Sequence, residues 1–426
     1  MKTNIENPKY NSNDFSFIYR YYAGFSTSFV SEILSGYNLD NLALLDPWNG
    51  SGTTSRVACQ LGVKKVYGFD INPIMSVIAS GELAEYDENT KLDLKQRNYL
   101  MNRDILQDPL EQWFTKTSVK NIRNTELNIR NAVLLEESAY EVNYLAIFPD
   151  FYELLILNHK LAYTYLVLFE VVKKLTEKFK STNPTWIKIA KSPNEKIKIT
   201  QNEFQKLFLS ELEAKNGILE KKTRNLKKEV QLGVSDSRTL PLEDESIDLT
   251  ITSPPYCTRI DYAVATRVEL AVLGMSSNSD FESLRKQMIG TTKVTNSEYF
   301  QREIPSKTAI LFLESVYNHS SKASKTYYYK QFIQYFEGIT DSILEISRVT
   351  KKNGKVIIVV QDSFYKDIYL NISQVFKELF NNNGWKTLEK KDFTKKQTMA
   401  TLNKNSKVYR DISNPVETVL IFERMN

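Results

Sequence analysis

The stretch Leu44–Gly62, "LLDPWNGSGTTSRVACQLG", decides how the rest of the chain is read. A short apolar run ends in Asp46 and Pro47, a loop carries Gly50 and Gly52, and a helix-like segment opens at Thr53–Thr54. That is the pattern strand, glycine loop, helix, and such a loop presents backbone amides to a polar ligand at a helix N-terminus. No lysine follows the second glycine where a Walker loop needs it, and the third glycine of a dinucleotide fingerprint is missing. By itself the loop also fits a plain turn. The next apolar run, "KVYGFD", narrows the choice, because it ends at Asp70, 18 residues beyond Gly52. An acid there can take both ribose hydroxyls of an adenosine ligand, with no pyrophosphate required.

Other β-rich runs end the same way. "VQLGVSD" stops at Asp236, "IDLTITS" at Ser253 and "GKVIIVVQD" at Asp362, and "VETVLIFER" closes the chain. Helix-like stretches such as "YKQFIQYFEGITDSILEISRVTK" lie between them. Strands alternating with helices predict a mostly parallel α/β sheet covered on both faces. Ligands of such sheets bind beyond the carboxyl ends of the strands, where these acids and Ser253 fall.

The chain has 426 residues, enough for one large domain with insertions or for two or three domains. Its net charge of +5 is a weak pointer to an anionic partner. Two cysteines, Cys59 and Cys257, exclude a disulfide framework and a cysteine-built metal site, and two histidines make a zinc centre improbable. No metal is expected. The polar start "MKTNIENPKYNSNDFSF" lacks an apolar signal core. The most apolar segment, Tyr152–Val172, carries Glu153, His159 and Lys160 and reads as a buried helix, not a membrane span. A cytoplasmic protein without a membrane partner is expected.

In "TSPPY", two prolines stop a β-prone run. With "DPWNGSGTT" and "GFDINP", this sequence resembles motifs IV, I and II of the amino-group DNA methyltransferases, which use S-adenosyl-L-methionine. "YYAGFSTSFVSEIL" resembles motif X of that family and "NPVETVLIFER" its last strand. The matches span roughly residues 1–85, 230–275 and 335–426, about half of the chain. Trp48 and Asn49 stand where motif I more often has Phe and Ala. The resemblance implies a class I methyltransferase fold, a Rossmann-like seven-stranded sheet, here with helical insertions. It implies cofactor contacts from Tyr22, Ala23, Phe25 and Ser26, from Asp46, Pro47, Gly50, Gly52 and Thr53, from Asp70 and Ile71, and from Asp236 and Ser253. A turn-capping role is the alternative for Asp236. Motif I preceding motif IV excludes the permuted order of many "SPPY" enzymes.

The same resemblance makes Ser253, Pro254, Pro255 and Tyr256 the catalytic loop. An exocyclic amino nitrogen is a poor nucleophile because the ring shares its lone pair. Acceptors on its two hydrogens, here the Ser253 hydroxyl and the Pro254 carbonyl, localise that pair. The prolines stiffen the loop and remove competing amides. Tyr256 would stack on a base flipped out of the duplex. Cys257 follows the tyrosine and reads as a packing residue, not a nucleophile. Serine before the prolines points to cytosine N4, and adenine N6 stays open as the alternative.

About 140 residues separate motif II from the next strand, too many for an ordinary crossover. The chain is therefore divided into a first catalytic part (1–87), a helical insertion (88–229), a second catalytic part (230–274), a second insertion (275–330) and a C-terminal catalytic part (331–426). The first insertion holds "KKLTEKFKSTNPTWIKIAKSPNEKIK", with eight lysines against two glutamates, and then "KKTRNLKK". Lys188, Lys221, Lys222, Lys227 and Lys228 there, and Arg259, Arg285, Lys286 and Arg302 further on, are candidate contacts to double-stranded DNA. A solvated helix face is the plain alternative for each cluster. Either insertion, or both, could read the target sequence.

The reading is a site-specific DNA methyltransferase that flips its target base, in a restriction-modification or defence setting with a cognate partner protein. Two rivals stand beside it: a tRNA guanine-N2 methyltransferase, and a non-catalytic DNA-binding subunit with a relic fold.

Overall fold

The computed structural model describes residues 7–8, 17–19, 21, 24, 26–85, 108–133, 159–181, 186–220, 229–257, 261–275, 280–294, 303–394 and 416–425. Its strands are β1 (Ala43–Asp46), β2 (Lys65–Asp70), β3 (Glu229–Val234), β4 (Ile247–Thr252), β5 (Thr350–Gln361), β6 (Ser363–Tyr365), β7 (Ile368–Leu370), β8 (Trp385–Thr394) and β9 (Val416–Arg424). Seven form one sheet in the order β3-β2-β1-β4-β5-β9-β8, and β6 and β7 make a separate hairpin. Pairing is parallel from β3 across to β5, and β9 runs antiparallel to both β5 and β8. β1 is buried along its whole length, as a parallel strand covered on both faces must be.

Helices cover the two faces. Thr27–Leu34 and Thr53–Leu61 share an apolar cluster with β1 and β2, and Tyr329–Val349 and Ile372–Asn382 share another with β5 and β9. The helix Pro73–Glu82 is buried at every residue, because the helix His159–Leu175 of the first insertion packs over it. Gly81 allows that approach: a Cβ there would lie 2.7 Å from Leu166 Cδ1. The segment expected to be a buried helix is one from His159 onward, and residues 152–158 lie outside the described residues.

Two more insertion helices, Lys116–Val133 and Gln201–Leu219, complete that layer, the second opened by a capping box between Thr200 and Glu203. The buried Arg123 gives Nε to Asp108 at 2.7 Å and Nη1 to Glu126 at 2.8 Å. It also donates to the carbonyls of Ala271 and Val272, at the C-terminal end of the helix Arg267–Val272. A cation is favoured at a helix C-terminus; it satisfies the Val272 carbonyl and shares that of Ala271 with the Gly274 amide. The insertion is thereby joined to the second helix after the Ser253–Tyr256 loop. Among the described residues no helix is long and apolar enough to cross a membrane.

Candidate active site

The parallel strands bring Asp46, Asp70, Asp236 and Ser253 to one end of the sheet. Gly50 and Gly52 hold φ of +48° and +80°, and the helix Thr53–Leu61 starts directly after them. L-residues rarely adopt such angles, which explains both glycines. Their surroundings differ. A Cβ on Gly52 would come 2.7 Å from Ala79 Cβ, whereas one on Gly50 would meet only the Trp48 carbonyl oxygen, at 3.9 Å. Gly50 therefore faces open space, where a ligand can approach the backbone.

Asp70 closes this loop from below. Its Oδ2 accepts from the Gly50 amide at 3.0 Å and its Oδ1 from the Asn72 amide at 2.9 Å. Crowding by protein pushes its carboxyl up to about 6, against those two amides. Asp46 is buried, and its Oδ1 accepts from Thr252 Oγ1 at 2.6 Å and from the Trp48 amide at 3.2 Å. Burial pushes it, too, to about 6, opposed by the Thr252 and Thr54 hydroxyls and the Trp48 amide. Asp46 thus ties the end of β1 to the end of β4, one residue before Ser253.

Trp48 and Asn49, the departures from the usual motif, have clear places. Trp48 packs against the cluster beneath β5. Asn49 is buried, accepts from Ser55 Oγ at 3.0 Å, and occupies the space over Gly68 of β2, where a Cβ would come within 2.7 Å of its side-chain amide. The missing methyl at Gly68 and the larger Asn49 compensate one another.

Thr53 and Pro47 are buried beside the loop, and Ile71 packs half-buried against the insertion cluster. Ser26 caps the helix Thr27–Leu34, its Oγ accepting from the Phe29 amide at 3.2 Å. Gly24 lies against the glycine loop, since a Cβ there would meet Thr53 Oγ1 at 3.6 Å. Tyr22, Ala23 and Phe25 lie outside the described residues. Asp236 sits in a turn: its Oδ1 accepts from the Arg238 amide, and Arg238 Nε reaches its two oxygens at 2.9 and 3.0 Å. The turn-capping alternative describes this geometry.

In the Ser253–Tyr256 loop the Ser253 hydroxyl donates to the Val359 carbonyl of β5 at 3.0 Å. No donor among the described residues reaches the Pro254 carbonyl. Pro255 is held by Tyr335, whose hydroxyl donates to its carbonyl at 3.1 Å. The Tyr256 amide points at the Tyr262 hydroxyl at 3.4 Å, and the Tyr256 hydroxyl donates to Glu417 Oε1 at 3.2 Å. Burial, with the Glu417 charge next, raises the Tyr256 phenol well above its ordinary range. Tyr262 is pushed up to about 12 by burial, opposed by the bond from the Tyr256 amide, while the nearby Asp70 charge adds to the rise. It therefore stands between the acid of β2 and the catalytic loop. Cys257 is buried in the core, where burial raises its thiol far above the reactive range.

Sequence reading missed Thr252, Tyr262 and Glu417. Asn72 was detectable, because Asn-Pro before an apolar run signals a helix start: its Oδ1 accepts from the Ile74 amide and its Nδ2 donates to Thr266.

Among the expected nucleic-acid contacts, Lys188 and Lys286 are exposed. Arg285 is not. It is buried, and its guanidinium is spent on Asp261 and Glu282, so the expectation that it reaches DNA is corrected to a structural ion pair. Arg259, Arg302, Lys221, Lys222, Lys227 and Lys228 lie outside the described residues. No group of three or more His, Cys, Asp or Glu among the described residues is arranged to hold a metal ion.

A parallel sheet in this order, with a reversed strand inserted beside β5 and a glycine loop after β1, is the class I methyltransferase fold. No family model matches the chain. It is 27 % identical over 317 residues to the Type II methyltransferase M.BsoBI of Geobacillus stearothermophilus, a match covering 70 % of this chain and 60 % of that protein. It is 28 % identical over 156 residues to the Type II methyltransferase M.AvaI of Nostoc sp., covering 34 % of this chain and 32 % of the relative. The chain thus spans about three fifths of the length of the first relative and about a third of the second. The solved rRNA methyltransferase AviRa of Streptomyces viridochromogenes overlies it with a TM-score of only 0.27 and 10 % identity, over 94 % of this chain and 86 % of that one.

Proposed function

We propose that the chain is an S-adenosylmethionine-dependent DNA methyltransferase that modifies the N4 amino group of a flipped cytosine in duplex DNA. The names of the two relatives support methyl transfer, and a restriction-modification or defence setting with a cognate protein suits a Type II system. The observation that carries the chemistry is the bond from Ser253 to Val359. A hydroxyl has one hydrogen and two lone pairs. With its hydrogen directed to the Val359 carbonyl, Ser253 can offer an incoming amino group only acceptors.

The Pro254 carbonyl is a second acceptor beside it. Together they draw the amino hydrogens aside and localise the nitrogen lone pair. The Tyr256 ring offers a stacking face for the base.

The residues at the sheet end fit the cofactor. The backbone at Gly50 is open to an approaching ligand, and Asp70 presents an acceptor suited to ribose hydroxyls. Asp46, through the Trp48 amide, and Thr53, at the start of the helix, brace the same loop. When bound, S-adenosylmethionine supplies a methyl group on a sulfonium whose carbon–sulfur bond breaks with its electrons toward sulfur. The chain's own part is positioning, which can supply much of such a barrier.

The test is mass spectrometry of nucleosides from duplex DNA and tRNA incubated with the chain and isotopically labelled cofactor. N4-methylcytosine in DNA is expected. N6-methyladenine would overturn the choice of base, label in tRNA guanine the choice of polymer, and no label in either the assignment as an enzyme. Ser253→Ala should reduce turnover more than cofactor affinity.

A further inference from the structure

β9 is the reversed strand of the sheet, so its first residues reach the end where the catalytic loop lies. Val416 accepts from the Asp362 amide at 3.1 Å, and Glu417 follows, paired between Gln361 of β5 and Phe393 of β8. Glu417 is 4 % exposed, which is unusual for a glutamate and calls for a hydrogen-bonding partner. Its Oε1 takes the Tyr256 hydroxyl at 3.2 Å. Two other acids of this edge also take hydroxyls: Asp392 Oδ1 accepts from Thr418 at 2.7 Å, and Asp362 Oδ2 from Tyr369 at 2.5 Å. Of the three hydroxyls, Tyr256 alone belongs to the catalytic loop.

The backbone of that loop is held from the opposite side. Tyr335 donates to the Pro255 carbonyl, Tyr262 receives the Tyr256 amide, and Gly290 approaches so closely that a Cβ there would lie 3.2 Å from the Tyr256 carbonyl oxygen. Those contacts hold the main chain and make no bond to the phenol hydroxyl. At the ring tip the phenol meets the Ser253 hydroxyl of its own loop and Glu417 Oε1, and only the Glu417 bond ties it to a distant strand. We infer that Glu417 is a positioning residue, which sets the plane of the Tyr256 ring against which the target base stacks. The proposal rests on the assignment of Tyr256 to the base-binding face. Burial and the neighbouring carboxylate keep the phenol protonated, so it stays a donor.

The contact predicts coupled losses. Glu417→Ala should lower kcat about ten- to hundredfold, as the loss of a hydrogen bond to a charged group does, with cofactor affinity unchanged. Glu417→Gln keeps an oxygen in the same place and should restore most of the rate. Tyr256→Phe should match Glu417→Ala, and the double variant should be no slower than either single one. Multiplied losses in the double variant, or a Gln variant as slow as Ala, would overturn the proposal. Fluorine NMR of the chain carrying 3-fluorotyrosine at position 256 gives a readout independent of turnover. The same resonance position is expected in the parent and in folded Glu417→Gln, and a resonance moved to an averaged position in Glu417→Ala. A sharp, unshifted resonance in Glu417→Ala would also overturn it. Should Glu417→Ala not fold, the comparison of Gln with the parent and with Tyr256→Phe decides. An inactive parent with an Ala-sensitive resonance would instead remove the methyltransferase reading while leaving the contact in place.

Discussion

The guanidinium of Arg285 meets a single oxygen of Asp261, Oδ2, with Nε at 2.9 Å and Nη2 at 2.6 Å, and Thr292 Oγ1 reaches the same atom at 3.0 Å. The other oxygen of Asp261 caps the short helix Tyr262–Ala265, accepting from the Val264 amide at 3.1 Å. One carboxylate therefore fastens the second insertion to the segment just beyond "SPPY". Arg285→Ala would leave that carboxylate buried without its cation, a loss of about 3–5 kcal/mol. Urea unfolding should show it, and whatever activity survives should keep the parent's target sequence. A changed target sequence would return Arg285 to base recognition.

The two glycines of the first loop should respond differently to alanine. Gly50→Ala meets open space and should cost about 1–2 kcal/mol, the strain of a left-handed backbone. Gly52→Ala carries that strain and also drives a methyl into Ala79, adding about 1–3 kcal/mol of overpacking. Thermal unfolding of the two variants tests the order, and equal losses would mean that Ala79 moves aside freely.

Asp46 gives a pH signature. Its carboxyl holds a proton up to about 6 in the folded chain, but only to about 4 when unfolded. Between these values the folded state carries more protons, so stability should fall as pH rises through that window and level off above it. Asp70, raised in the same direction, contributes with the same sign. Asp46→Asn should remove up to about 3 kcal/mol of this dependence, measured by urea unfolding from pH 4 to 7. An unchanged slope would mean that Asp46 is ionised throughout.

Replacing Lys221, Lys222, Lys227 and Lys228 with Gln should weaken binding to every duplex alike. Each lost phosphate contact should reduce the log–log salt slope by about 0.9. The exposed Lys188, Lys191 and Lys198, beside the exposed Trp186, offer a second set for the same measurement. An unaltered slope assigns the runs to solvated surface, and a change in the methylated sequence assigns target recognition to the first insertion.

Much of this architecture is written locally in the chain. The strand, glycine loop and helix of Leu44–Gly62 were legible because a short apolar run and two glycines one residue apart say the same thing. "SPPY" was legible because prolines end a strand wherever they occur. What stayed hidden depends on partners distant in sequence. Asn49 makes sense only over Gly68, and Asp261 only beside Arg285. Glu417 read as one polar residue of a closing strand, because nothing local reveals that the strand is reversed. β5 starts at Thr350, before its apolar run, through pairing with Ile247 and a left-handed turn at Asn353 that propensity does not announce.

Gly81 has a thermodynamic consequence. Where Leu166 of the inserted helix fills the notch above it, the insertion and the helix Pro73–Glu82 share one apolar interior. Deleting the insertion would expose a helix buried on every side, so the described parts should melt together in calorimetry as a single transition. Limited proteolysis would then release no autonomously folded sheet domain.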